Sequence, residues 1–424
     1  MKKYMAVLLV IVMSIAFVGC GNDNTQGTDT DTPSQEEASD TQQEQSTGDN
    51  EGTEEIVVWI PGDDVEYSFY YNMFENYKTA MEAEGKTFNY VIEQQPWGDY
   101  FTKLPLEVNN GRGPDIYYTH TAYMDTLGPI SRELNLSEDI LGQLSTTDMY
   151  LGENNKPLVI PTVFTSMIMY ANEKIVGDMD KAPTTWEELF AESSKYTDAQ
   201  KGIIGYDYSF HMLYDLAYQA GERLTDANGA VFSEKALQQV LDWTDAGYMD
   251  YLTYGQNSPE DSLYQDSAAF IYGAGWMEFW APEDAQLYAF PVPGTTTAFA
   301  ELTFGISKNV SEAKYEVLND FVEFMLTDES TVTDIVKGNS GAPNNTTVDI
   351  AYEEGTAGHA VLQAYNSGDA KVVIVPSNLE KVYRTMLEAA LTGTSVEDAI
   401  EQAKMDAQSI DVSNLHQMEQ VAFQ

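Results

Sequence analysis

Ile56-Val57-Val58-Trp59-Ile60-Pro61-Gly62 is a short β-rich run that stops at a Pro-Gly turn, and the rest of the chain is read outward from it. An amphipathic helix is expected over Phe69 to Ala83, a strand over Asn89-Tyr90-Val91-Ile92, a helix over Asp99 to Asn109, and a strand over Asp115-Ile116-Tyr117-Tyr118. Strands alternating with helices imply parallel βαβ units, whose loops at the strand C-termini form a crevice. Further on, the apolar runs Leu158 to Pro161 and Met167 to Tyr170 are separated by Thr162 to Ser166. Thr184 caps the helix that starts Thr184-Thr185-Trp186-Glu187-Glu188-Leu189, with Glu187 at the capping-box spacing. Tyr206 to Ala220 reads as an aromatic helix, Ala268 to Gly273 as a strand, and Tyr315 to Leu326, Lys381 to Leu391 and Val396 to Ile410 as helices. No repeat of solenoid period is present.

Upstream, Lys2 and Lys3 precede an apolar run from Met5 to Val18 that ends at Gly19-Cys20-Gly21. This is the layout of a secretory signal, shorter than the roughly 20 apolar residues a bilayer span needs. Cys20 is the only cysteine, so the mature chain has no disulfide partner for it. Its position resembles the lipobox of bacterial lipoproteins, where that cysteine is acylated, with Phe17 standing where the pattern usually has Leu. Residues 1–19 are thus expected to be a signal peptide, and 20–55 a lipidated cysteine with a disordered, acidic tether that lacks Lys and Arg. Removing Lys2 and Lys3 takes the formal charge from −47 to −49. Nucleic acid and anionic head groups are poor partners for such a chain, because binding them rests on Lys and Arg. The remaining length suffices for two domains with sizeable cores.

The order of motifs after Glu55 resembles the maltose/maltodextrin-binding branch of the extracellular solute-binding proteins, family 1, the sugar-binding lipoproteins of ABC importers. The resemblance is carried by Trp59-Ile60-Pro61-Gly62-Asp63-Asp64, Gly113-Pro114-Asp115, Ile160-Pro161 through Tyr170-Ala171-Asn172-Glu173, and Pro183 to Leu189. Ala268-Ala269-Phe270 with Gly275-Trp276, then Pro291-Val292-Pro293-Gly294, Gly305-Ile306-Ser307-Lys308, Gly341-Ala342-Pro343 and the end from Val382 to Ile410 complete it. It implies an α/β, two-lobed periplasmic-binding-protein-like fold of type II with three hinge crossings, near Val163, Thr303 and Ala342. The lobes would be 56–163 plus 304–342, and 164–303 plus 343–424. Three departures bear on the ligand: no glutamate near Phe164-Thr165, Asp64 where the family has a basic residue, and no aromatic near Glu380-Lys381.

A sugar offers apolar C–H faces and hydroxyl rims, so its site needs aromatic rings and hydrogen-bonding carboxylates or amides. The chain has 27 Tyr, 17 Phe and 6 Trp. Trp276 is the first stacking candidate, since a glycine on each side of Ala274 leaves the backbone room to approach a ligand; the alternative is a core tryptophan. Asp63 and Asp64, at a strand end, suit hydroxyl donors or are turn formers. Trp97 either edges the cleft or staples its helix. Tyr118 and His120 follow the second cleft strand, and Phe164, Tyr208, Phe210, His211, Glu278 and Trp280 form a second tier. Trp59, inside a strand, reads as core.

His120, His211, His359 and His416 have no i, i+4 partner, and no Asp-x-Asp-x-Asp-Gly loop is present, so no metal or other cofactor is expected. A secreted glycoside hydrolase would use two carboxylates, but with 68 acids pairs discriminate nothing, and no nucleophile elbow, P-loop or HExxH element exists. The reading is therefore a binder and not an enzyme: a monomeric lipoprotein on the outer face of the cell membrane that captures a carbohydrate for ABC permease subunits. A peptide or polyamine in the same fold is the alternative.

Overall fold

The computed structural model describes residues 54–62, 64–179, 181–196, 204–206, 209–251, 264 and 266–423. The signal sequence, Cys20, nearly all of the tether, Asp63 and Tyr208 lie outside them. The opening run is β1 (Ile56–Pro61), and α1 (Asp64–Ala83), β2 (Tyr90–Gln95), α2 (Trp97–Asn109) and β3 (Ile116–Thr119) follow it. β1 is parallel to both β2 and β3, with Ile56 opposite Tyr90 and Val58 opposite Ile116. A central strand of a helix-covered parallel sheet is shielded on both faces, which is why its sequence is apolar without alternation. Gly113 is required before β3 because a Cβ there would sit 2.5 Å from Cγ2 of Val108. Asp115 then ties the turn down, accepting from Val57 N at 2.8 Å and from Lys314 Nζ at 2.8 Å.

β4 (Ser131–Arg132) closes the first sheet, but the strand between it and β3 comes from far downstream. The next strand, β5 (Val163–Asn172), is ten residues long and buried throughout. Thr162 to Ser166 therefore does not separate two apolar elements; Val163 to Ser166 is the first part of one long strand, and Leu158 to Pro161 is loop. Around β5 gather β6 (Ile204–Tyr206), β7 (Met249–Asp250), β8 (Phe270–Ala274), β9 (Leu287–Pro291) and β10 (Thr296–Glu301). β11 (Thr303–Ser307) belongs to the first sheet, antiparallel to β3, while β12 (Ala342–Pro343) pairs with β5 and β13 (Ala370–Val372) with β10. The chain thus moves from one sheet to the other across Leu302 alone, a buried residue held at φ 54°. That left-handed conformation is costly for a branched side chain and persists only where its surroundings fix it.

Helices cover both sheets: α3 (Trp186–Ser193), α4 (Ser209–Gln219), α5 (Glu234–Asp245), α6 (Glu312–Thr327), α7 (Glu329–Gly338), α8 (Ala357–Ser367), α9 (Ser377–Leu391), α10 (Val396–Asp406) and α11 (Ser413–Ala422). The cap of α3 falls one residue later than expected. Thr185 accepts from Glu188 N at 3.1 Å, and Thr184 instead donates its N–H to the Glu188 carboxylate at 2.8 Å. Two cores result. The first centres on Phe74, stacked on Phe321 at 4.4 Å, and the second on Tyr170, Tyr214, Tyr272 and Tyr383. Val348, Ile350 and Ile374 pack in the first core although they follow β12 in sequence. Among the described residues no helix is long and apolar enough to cross a membrane.

Candidate functional site

The C-terminal end of β3 delivers Tyr118 and, just past it, His120, and the end of β10 brings Glu301 against them. Glu301 joins them: its carboxylate accepts from the Tyr118 hydroxyl at 3.2 Å and lies 3.6 Å from Nε2 of His120. The other ring nitrogen, Nδ1, accepts from Ala122 N at 3.2 Å, which caps a 3-10 turn over Thr121–Tyr123 and fixes the imidazole's orientation. Phe101 and Tyr123 stack at 4.0 Å and 7° beside it, and Trp97, 42% exposed, meets Tyr118 edge-on at 5.7 Å. An aromatic shelf with a carboxylate at its end is the result.

The second lobe supplies the facing wall. Phe299 contacts His211 edge-on at 4.4 Å and Trp276 at 6.0 Å. Glu380 lies in the first turn of α9, and one turn later the Arg384 guanidinium sits 5.0 Å from the ring of Phe210. His120, Thr121 and Ala122 of the first lobe close with His211, Phe299 and Glu380 of the second on a cavity of about 10 Å³. That is room for about one water, so the walls are drawn together. A larger groove of about 750 Å³ shares only Ala122 with this cavity. Both of its cationic groups already have partners, Arg132 on Glu312 at 2.6 Å and Lys156 on Asn135 at 2.6 Å, leaving less for a solute to satisfy.

Electrostatics follow from this enclosure. Burial pushes the His120 imidazole down, but the Glu301 carboxylate and then Glu380 outweigh it and hold its pKa above the ordinary histidine value. Burial, reinforced by Arg384 and His120, lowers His211 well below that value. Burial raises Glu380 to about 7 against the opposing pull of His120, Arg384 and Lys381. The neighbourhood thus combines two imidazoles shifted in opposite directions with the carboxyl groups of Glu301 and Glu380, a set able to donate to and accept from hydroxyls.

The other sequence candidates are distributed unevenly. Phe164 has no exposed surface; it stacks on Tyr365 at 5.6 Å within the first core. Phe210 is buried beside His211 in the second core. Glu278 accepts from Ala357 N at 2.9 Å and from Ser340 Oγ at 3.4 Å, placing a carboxylate at the N-terminus of α8 where the helix dipole favours it. Its pKa is raised by burial, the two hydrogen bonds opposing. Trp276 is half-buried, but the room its neighbouring glycines leave is taken by the chain itself: a Cβ on Gly273 would meet Met277 Sδ at 2.6 Å, and one on Gly275 would meet Thr165 Oγ1 at 2.6 Å. Asp64 opens α1 and Trp280 ends the 3-10 turn after β8; only their backbone places are described. Phe299, Glu301, Phe101, Tyr123 and Arg384 were not singled out in the sequence. Phe299 and Glu301 share a face of β10 by the period of two, a signal readable only once that strand is recognised.

The sequence matches the family described as bacterial extracellular solute-binding protein over residues 70–360. No curated protein sequence matches it. Among solved structures, the cyclic alpha-maltosyl-1,6-maltose binding protein of Arthrobacter globiformis superposes with a TM-score of 0.67 at 20% identity, covering 84% of this chain and 98% of that one. The GacH receptor of Streptomyces glaucescens, solved unliganded and with acarbose, gives 0.66 at 16% identity over 84% and 99%. A periplasmic solute binding protein of Pectobacterium atrosepticum gives 0.66 at 18% over 85% and 99%. At such identities these likenesses speak to the fold, which is the same two-lobed architecture. The sequence match spans most of the chain, and on it the protein belongs to the bacterial extracellular solute-binding family.

Proposed function

We propose that this protein captures a carbohydrate, an oligosaccharide in particular, in the cleft between its lobes and presents it to the permease subunits of an ABC importer. The observation that carries the reading is the pairing of an aromatic shelf, Trp97, Phe101 and Tyr123, with Glu301, held by the buried Tyr118, and with Phe299, which Trp276 backs. Flat rings suit sugar C–H faces, and a carboxylate between them suits hydroxyl donors. Asp63 and Asp64, next to the end of β1, complete the polar rim in this reading. In this reading the lobes are 56–163 plus 304–342 and 164–303 plus 343–424, with Phe164, Val348, Ile350 and Ile374 reaching back into the first core; the solute bridges them and shifts an open and closed equilibrium through its preference for the closed shape. The chain acts as a monomer without catalysis, held at the outer membrane face by lipid on Cys20.

Titration calorimetry against neutral oligosaccharides and against spermidine tests the ligand class. Binding of at least one oligosaccharide, with loss in Phe299→Ala, is expected. Binding of the amine alone, or release of reducing ends from a glycan, would overturn the reading. Metabolic labelling with palmitate, lost in Cys20→Ser, tests the anchor.

A further inference from the structure

Glu380 lines the interlobe cavity from the first turn of α9, and no contact to the solute has been assigned to it. Tyr214 lines the same cavity, and its buried hydroxyl finds no hydrogen-bond partner among the described residues. Charged and titratable groups face Glu380 from each element around it: His120 from the end of β3, Tyr123 from the turn that follows, Glu301 from β10, Tyr214 from α4, and Lys381 and Arg384 from α9 itself. His211, also on α4, lines the cavity beside them. Acids and bases of opposite lobes therefore meet in a space of about 10 Å³. Such a space exists only when the lobes are together.

We propose that Glu380 is a ligand-sensing residue of the cleft and that closing the lobes takes up protons, so that solute capture tightens as the medium becomes more acidic. This rests on the interlobe cleft being the solute site. The sign follows from the enclosure. In an open cleft Glu380 returns to water and to the ordinary glutamate value of 4.5, whereas burial holds it near about 7 when shut. Below the lower value both shapes carry the proton and closure is unpenalised; as pH climbs towards the higher one, the closed shape is progressively disfavoured. His120 acts in the same sense, since its charged form is favoured when shut against Glu301, whereas His211, lowered by burial in the same cavity, acts in the opposite sense and limits the net uptake. The His120 contribution is complete below the ordinary histidine value and is lost as pH rises through the raised one. Each coupled proton changes the closure equilibrium by at most about tenfold per pH unit.

Small-angle scattering of the purified full chain, from about pH 5 to about pH 8.5, with and without maltotriose as the probe, tests this directly. The compact fraction should grow as pH falls. Glu380→Gln should flatten the profile below neutrality while leaving the melting temperature in place, and Glu380→Asp should restore the slope. A pH-independent compact fraction in the wild type, or an unchanged slope in a folded Glu380→Gln, overturns the proposal. Should Glu380→Gln fail to fold, carboxyl NMR of the wild type decides, and a Glu380 titrating in the ordinary glutamate range sinks the idea. Maltotriose binding with a pH-flat affinity would defeat the proton coupling alone. A compact fraction that follows pH while none of the oligosaccharides tried by calorimetry binds would defeat the carbohydrate reading and leave the coupling standing.

Discussion

Asp215 and Glu380 are carboxylates of the second lobe that burial pushes to about 7, in surroundings built to opposite ends. Asp215 has no exposed surface and is fully engaged: Tyr272 Oη donates to it at 2.8 Å, Thr296 Oγ1 at 3.0 Å, and Thr297 through its N at 2.7 Å and its Oγ1 at 3.1 Å. Those four donors lash α4 to β8 and β10, so the strand that carries Phe299 and Glu301 is fixed to its own lobe. Glu380 has neighbours of both charges but sits on the cavity wall. A buried acid surrounded by donors from its own lobe is a structural pin; one set facing the other lobe responds to whatever enters or closes the cleft.

The comparison can be broken most sharply at Asp215. Asp215→Ala strips an acceptor from several buried donors at once and should cost about 3 kcal/mol or more, read by denaturant unfolding. Its pH signature has a definite sign. Because the folded carboxyl is raised to about 7 from 3.8, stability is greatest while the group stays protonated and declines as pH rises between those values. Asp215→Asn, which cannot ionise, should therefore lose less stability than the wild type over that window; an identical pH profile would show that Asp215 is not buried as described.

On the cleft side, Phe299→Ala should weaken solute affinity by roughly 10- to 100-fold, in line with truncating a central aromatic contact, while costing less stability than Asp215→Ala. A stability loss in Phe299→Ala as large as that of Asp215→Ala would erase the distinction between a cleft contact and a structural pin. The smallest effect belongs to a position outside both regions. Thr185→Ala should lower stability by about 1 kcal/mol and leave affinity untouched, with Thr184→Ala costing less, because only Thr185 caps α3.

How far the chain could be read beforehand depends on the range of the interaction. The run Ile56 to Gly62 and the alternating segments after it were legible because strand and helix patterns repeat over a few residues. The cap of α3 was legible in kind but not in position: Thr184-Thr185 and Glu187-Glu188 offer the same spacing twice, and the backbone chose the second. Val163 to Ser166 misled because its threonines and serine read as a break, whereas strand pairing with β10 and β12 extends β5 through them. Phe164 gave no hint of which way it faces, since that depends on the register of β5 and not on its neighbours in sequence.

The sequence by itself determined the two-lobed α/β class and supplied the aromatic and carboxylate groups a solute site draws on, because composition and local periodicity are properties of short segments. Only the tertiary structure decided which of those groups meet. Tyr118 and Glu301 stand 183 positions apart and are joined by a hydrogen bond because the chain changes sheets at Leu302 and lays β11 beside β3. That placement is set by long-range strand pairing and by the surroundings that hold Leu302 in its left-handed turn, and no window of sequence around either residue contains it.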